Sequence, residues 1–126
     1  MSDTKLKLEK VNITLDSKVV LDNVNLEVSD GDIVSLMGSS ASGKTSLIRS
    51  IAGFHNITSG SIYIDGQIVD DSKKRESVSG RNVGVIFQDL ALFPHLTVRE
   101  NICFGLSKLA KKQQFDRAEK LEKILD

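Results

Sequence analysis

The chain has one cysteine, one proline and a formal net charge of zero. A single cysteine, Cys103, excludes an intramolecular disulfide and points to a reducing compartment. One proline leaves no room for a proline-rich linker. Lys and Arg total 17 and Asp and Glu total 17, so no global basic field favours a nucleic-acid partner. No run approaches the roughly 18 consecutive apolar residues of a membrane span. The opening Met1-Ser2-Asp3-Thr4-Lys5 lacks the apolar stretch of a secretory signal. No internal repeat or low-complexity tract is present. What the chain does have is 126 residues, 40% of them hydrophobic. That is the size of one ordinary domain, with enough apolar side chains to bury a core.

The first thirty residues read as strands. Leu6, Leu8 and Val11 alternate imperfectly with charged neighbours, and Val19-Val20-Leu21 and Val24, Leu26, Val28 give two further apolar beats. Asp16-Ser17-Lys18 and Ser29-Asp30-Gly31 are turn clusters. One polar face per strand predicts an antiparallel, partly solvated sheet. Ile33-Val34-Ser35-Leu36-Met37 is instead nearly continuous in apolar character, the pattern of a strand buried on both faces. Val83-Gly84-Val85-Ile86-Phe87 reads the same way. Between them, Leu47, Ile48, Ile51 and Ala52 share a helical stripe that Gly53 is placed to end. Ser61–Val69 reads as a hairpin turning at Asp65-Gly66. Residues 70–82 hold one apolar side chain, Val78, and read as an exposed, solvated loop. Thr97 and Glu100 have the spacing of a capping box. Phe115, Ala118, Leu121, Ile124 and Leu125 mark an amphipathic helix that is still running at the last residue.

The chemistry concentrates at Gly38-Ser39-Ser40-Ala41-Ser42-Gly43-Lys44-Thr45, which satisfies G-x-x-x-x-G-K-[ST] with a buried-strand pattern before it and a helix after it. A nucleotide's phosphates need donors on many sides, and a loop wrapped around them aims successive backbone N–H groups inward. Gly38 and Gly43 let the backbone approach and turn where a Cβ would clash. The helix N-terminus supplies free N–H groups and a favourable dipole. Lys44 is placed to reach the outer phosphates and the Thr45 hydroxyl to ligate Mg²⁺. If the φ of Ala41 is positive, its Cβ adds about 1 kcal/mol of strain.

Four segments together resemble the ATP-binding subunits of ABC transporters. They are Val19–Val24, the loop Gly38–Ser46, Ile51–Phe54 with Thr58–Ile62, and Val85–Asp89 with Ala91–Ile102. The last is most similar to importer ATPases for ferric iron, polyamines, sulfate and sugars. The resemblance spans essentially the whole chain. It implies an α/β fold of the P-loop NTPase type, with an antiparallel β subdomain at 1–30, a nucleotide-binding core at 31–89 and a helical subdomain beginning at 90–126. It implies ATP and Mg²⁺ as cofactors, with Ser46 completing the phosphate loop. Gln88 takes the place of the family's Q-loop glutamine, meeting the metal or the attacking water. Leu15 takes the place of the aromatic that stacks on adenine, which a leucine contacts without π-stacking. The implied partners are membrane subunits, a second ATP-binding subunit and, indirectly, an extracytoplasmic solute-binding protein, at the cytoplasmic face of the cell membrane. No nucleic-acid partner is implied. His55, His95 and Cys103 have no matched partner at a useful spacing and are expected to be structural.

The family's later motifs are not among these residues. Ser77-Val78-Ser79-Gly80 is a poor match to the signature motif and precedes Gln88. Asp65 follows an apolar run but belongs to a turn. On the resemblance, the chain is therefore expected to be the N-terminal part of one ATPase domain, to bind ATP without hydrolysing it alone, and to leave the strands at 33–37 and 83–87 without neighbours. A non-hydrolytic nucleotide- or membrane-subunit-binding module is the alternative. A GTPase would need an Asn-Lys-x-Asp base reader, which is missing, and a small kinase would not place thirty residues of antiparallel strand before its loop.

Overall fold

The computed structural model describes residues 3–125. They form two compact units, divided after Val85.

In the first unit, β1 (Thr4–Leu15) and β2 (Lys18–Ser29) form a long antiparallel hairpin. Its two-residue turn puts Asp16 at φ 47° and Ser17 at φ 63°, the mirror-image turn that suits the twist of paired strands. The sequence suggests two separate beats over 19–28, whereas β2 is one continuous strand. Irregular pairing absorbs the break in pattern. Lys10 and Asn23 both take positive φ, and the ladder bonds lost there are replaced by side-chain amides. Lys10 N–H donates to Asn25 Oδ1 at 2.9 Å, and Asn23 N–H donates to Asn12 Oδ1 at 2.8 Å.

The second hairpin follows the sequence pattern. β3 (Ser59–Ile64) and β4 (Gln67–Asp70) turn at Asp65-Gly66, both with positive φ. β3 pairs antiparallel with β1, giving the four-stranded order β2-β1-β3-β4. Between the hairpins runs α1 (Lys44–Ala52), ended by Gly53 at φ 94° as its position predicts. The core joins Leu8, Val11 and Ile13 of β1 to Leu21, Ile62 and Val69 of the other strands, with Leu47 of α1 and Ile57. Burying such side chains contributes about 1.5–3 kcal/mol each.

Two expected buried strands are not formed. Residues 33–37 and 83–87 carry no strand pairing. Ile33 is 98% exposed and Ile86 93%. The reason is the ladder itself: an extended segment becomes a strand only beside a hydrogen-bonding neighbour, and among the described residues no strand lies next to either. Val34 and Leu36 instead flank an open apolar groove of about 510 Å³ shared with Leu6, Leu26, Val28, Ile48 and Ile51.

The loop at 70–82 also departs from its sequence pattern. It is not uniformly solvated, because Asp70 and Arg81 are both buried. Two arginines fold the segment inward. Arg75 and Arg81 each approach Asp70 at 3.5 Å, and Arg75 Nη2 donates to the Ile57 carbonyl at 3.1 Å. Composition alone counts these charges as surface; each is paired instead.

The second unit contains α2 (Val98–Cys103) and α3 (Lys111–Leu125). The expected capping box is present: Glu100 N–H donates to Thr97 Oγ1 at 3.2 Å and Thr97 N–H to Glu100 Oε2 at 2.7 Å. Arg99 forks onto Glu122, tying α2 to α3 with contacts of 3.0 and 2.6 Å. Of the α3 apolar stripe only Ala118 is buried, while Phe115, Leu121, Ile124 and Leu125 are exposed. No helix of the described residues is long and apolar enough to cross a membrane.

Candidate phosphate-binding site

The predicted loop sits in the first unit, between the exposed segment at 33–37 and α1. Gly43 is the N-cap of α1, with φ 93° and no side-chain cap. The conformation requires glycine on two counts. Its φ lies in the left-handed region, and a Cβ there would fall 2.6 Å from Leu21 Cδ2. Because no side chain caps the helix, the first N–H groups of α1 remain available to an anion.

Lys44 curls back over the loop. Its Nζ donates to the carbonyls of Gly38 at 2.8 Å and Ser39 at 2.6 Å, and to Ser42 Oγ at 3.1 Å. The ammonium thus holds the loop closed around itself. Ala41 has φ 64°, so the strain expected of an alanine at this position is present.

Val20 and Ser40–Ser46 line a depression of about 270 Å³. Its polar groups are donors: backbone N–H groups, the Lys44 ammonium and the hydroxyls of Ser40, Ser42, Thr45 and Ser46. No carboxylate and no histidine lines it. That donor set suits a polyphosphate, and the exposed Thr45 hydroxyl is the one oxygen ligand at the start of the helix that the motif assigns to a metal. The residues present therefore fit the phosphates of a nucleotide.

The structure gathers Gly38 to Ser46 in one place. Leu15, predicted to meet the base, lies at the hairpin tip, partly buried and packed on the core. The hairpin residue that lines the depression is Val20, which sequence reasoning passed over. Its place in β2, two positions after the first strand residue Lys18, gives no sign of this in the sequence. Gln88 is exposed and belongs to the second unit, in a turn closed by Leu90 N–H on the Phe87 carbonyl at 3.1 Å. His95 packs edge-on against Phe93 and Cys103 donates to the Gln114 carbonyl at 3.7 Å. His55 Nδ1 is buried without a hydrogen-bond partner among the described residues. Arg81 and Asp70 are the larger omission, because a charged run in a loop carries no sign of which charges turn inward.

A glycine-rich loop leading into an uncapped helix N-terminus, with Lys44 folded into the loop, is the arrangement of a P-loop protein. The family described as ABC transporter matches residues 21–126, and the chain belongs to it. It is 36% identical to an Fe(3+) ions import ATP-binding protein of Mannheimia succiniciproducens, over 99% of this chain and 35% of that protein. It is 39% identical to a probable sulfate/thiosulfate import ATP-binding protein of Chlorella vulgaris, over 93% of this chain and 50% of that protein. A spermidine/putrescine import ATP-binding protein of Haemophilus ducreyi is 42% identical over 82% of this chain and 27% of its own length. A solved ATP-binding cassette, a dimer in a post-hydrolysis state with ADP and Pi bound, superposes with TM-score 0.75 at 28% identity, covering 91% of this chain and 54% of that one. The fold is thus the α/β P-loop fold of the ATP-binding cassettes, and the chain spans about a quarter to a half of the length of these curated relatives.

Proposed function

We propose that this chain is the N-terminal, ATP-binding portion of an ABC importer ATPase, holding Mg–ATP at Gly38–Ser46. The observation that carries the reading is the donor-lined depression at an uncapped helix N-terminus with Lys44 inside the loop. Backbone N–H groups and Lys44 bind the phosphates. Thr45 supplies the hydroxyl for Mg²⁺, whose chemistry when bound is to neutralise and orient the phosphates. Gln88 is the proposed sensor of metal or water, and Leu15 or its hairpin neighbour Val20 the apolar contact for the base. Residues 1–30, 31–89 and 90–126 are proposed as the β subdomain, the nucleotide-binding core and the start of the helical subdomain. Membrane subunits, a second ATP-binding subunit and, indirectly, a solute-binding protein are the proposed partners, at the cytoplasmic face of the membrane.

Binding without turnover is the activity proposed for these 126 residues alone. The lining provides donors for phosphate but no side chain able to take a proton from water. Calorimetric titration with Mg–ATP tests the binding, and phosphate release tests the absence of hydrolysis. Failure to bind at millimolar ATP overturns the first; turnover abolished by Lys44→Ala overturns the second.

A further inference from the structure

We infer that Arg81 is a positioning residue for the phosphate loop: held by the buried Asp70, its guanidinium clamps the C-terminal end of α1 to β4 and thereby fixes the helix whose other end presents Lys44 and Thr45. This deepens the ATP-binding reading and rests on it for its functional consequence.

The seat of Arg81 is built from four sides. Nη1 donates to the Ser50 carbonyl at 2.8 Å and the Ile51 carbonyl at 3.2 Å. Nε donates to the Glu76 carbonyl at 3.1 Å. Nη2 faces Asp70 Oδ2 at 3.5 Å, a charge contact rather than a hydrogen bond, with side-chain exposures of 1% and 0%. The fourth side is Gly53, where a Cβ would stand 2.8 Å from Nε. A planar fork with five donors can span these partners at once, and a lysine's compact ammonium cannot.

The helix does not need Arg81 in order to end. Gly53 N–H already bonds the Ser50 carbonyl at 3.2 Å and Phe54 N–H the Arg49 carbonyl at 2.8 Å, which completes a left-handed glycine cap. The guanidinium adds a second donor to Ser50 and a first to Ile51. Its effect is therefore to tie a finished helix to Asp70, the last residue of β4, while its charge complements the negative end of the helix dipole. The other constraints on α1 are few. Leu47 enters the core and Ser50 and Ala52 are buried, but Ile48 is 46% exposed. At the opposite end the first N–H groups have no side-chain cap. That end is fixed by Leu47 in the core and by Lys44 across the loop, so a shift of the Arg81 anchor is carried along this nine-residue helix to the loop.

The test compares Arg81→Met, Arg81→Lys and Asp70→Asn in the 126-residue chain, at a temperature where circular dichroism shows each folded. Two quantities are read. One is hydrogen exchange of the Leu47 amide, which bonds the Gly43 carbonyl at 2.9 Å at the far end of α1, without nucleotide. The other is Mg–ATP affinity. Arg81→Met is expected to speed Leu47 exchange and to weaken ATP by about tenfold each, leaving Ile13 exchange unchanged, with Arg81→Lys in between. Where Arg81→Met does not fold, Asp70→Asn carries the same expectation. Leu47 exchange within twofold of the parent, in variants that have lost stability, overturns the proposal and leaves Arg81 a purely stabilising residue. If the parent chain binds no ATP, the ATP-binding reading fails, and the exchange arm still decides the positioning role.

Discussion

Lys44 Nζ donates to the Ser39 carbonyl at 2.6 Å, so the residue that should meet phosphate is already satisfied by its own loop. Binding must exchange these contacts for charge-assisted bonds to phosphate oxygens. Each such bond is worth about 1.5–3 kcal/mol. Lys44→Ala is expected to weaken Mg–ATP by roughly tenfold to a hundredfold. Lys44→Arg is expected to recover little, because a planar guanidinium does not fit three acceptors arranged around a point. Titration of each variant with ATP checks both.

Ala41 carries a penalty visible in its backbone. At φ 64° its Cβ crowds the following carbonyl. Ala41→Gly is expected to stabilise the chain by about 1 kcal/mol, less whatever the added freedom of the unfolded glycine removes. Ala41→Val, β-branched at the same φ, is expected to destabilise it by more than glycine gains. Thermal unfolding of the three chains orders them.

The sequence showed the local features and missed the long-range ones, for a physical reason. The turns at Asp16-Ser17 and Asp65-Gly66, the Gly53 stop and the Thr97–Glu100 box are set by neighbours within a few residues, and all are present. The loop motif was legible because the tight approach of backbone to phosphate restricts residue type at fixed spacing. The inward turn of Arg81 depends on Asp70 and on the end of α1, which are distant in sequence, so the segment looked like solvent-facing charge. Apolar runs at 33–37 and 83–87 announced strands, but pairing is a property of two segments and cannot be read from one.

Acid is expected to loosen the second unit. Backbone and side-chain hydrogen bonds from Thr97 hold Glu100 below the usual glutamate range, and the Arg99 fork does the same to Glu122. A carboxylate whose folded pKa is depressed gives stability that is complete above the unfolded value and is lost as pH falls through the folded one. Helicity of α2 and α3 should therefore hold at neutral pH and decline below the ordinary glutamate range. Glu100→Gln should flatten part of that decline, since its amide cannot titrate. The Arg99–Glu122 pair is reached by solvent, Arg99 being exposed and Glu122 half-buried, so salt should weaken its contribution. Circular dichroism against pH, at low and high salt, follows the change.

Ile33 and Ile86 stand almost fully in solvent, and Val34 and Leu36 border an open apolar groove. Extended segments outside any strand ladder invite another strand, and apolar side chains beside them favour burial over hydration. At micromolar concentration the 126-residue chain is expected to associate, through these segments rather than through the polar face of the hairpin. Ile33→Lys places a charge in the run without touching the core residues Leu8, Ile13 or Ile62, and should shift the chain toward monomer. Lys7→Ala, on the exposed hairpin surface, should not. Sedimentation velocity over a concentration series separates the two variants. A sharp monomer for the parent chain at all concentrations would show that the exposed runs are covered in solution by contacts within the chain.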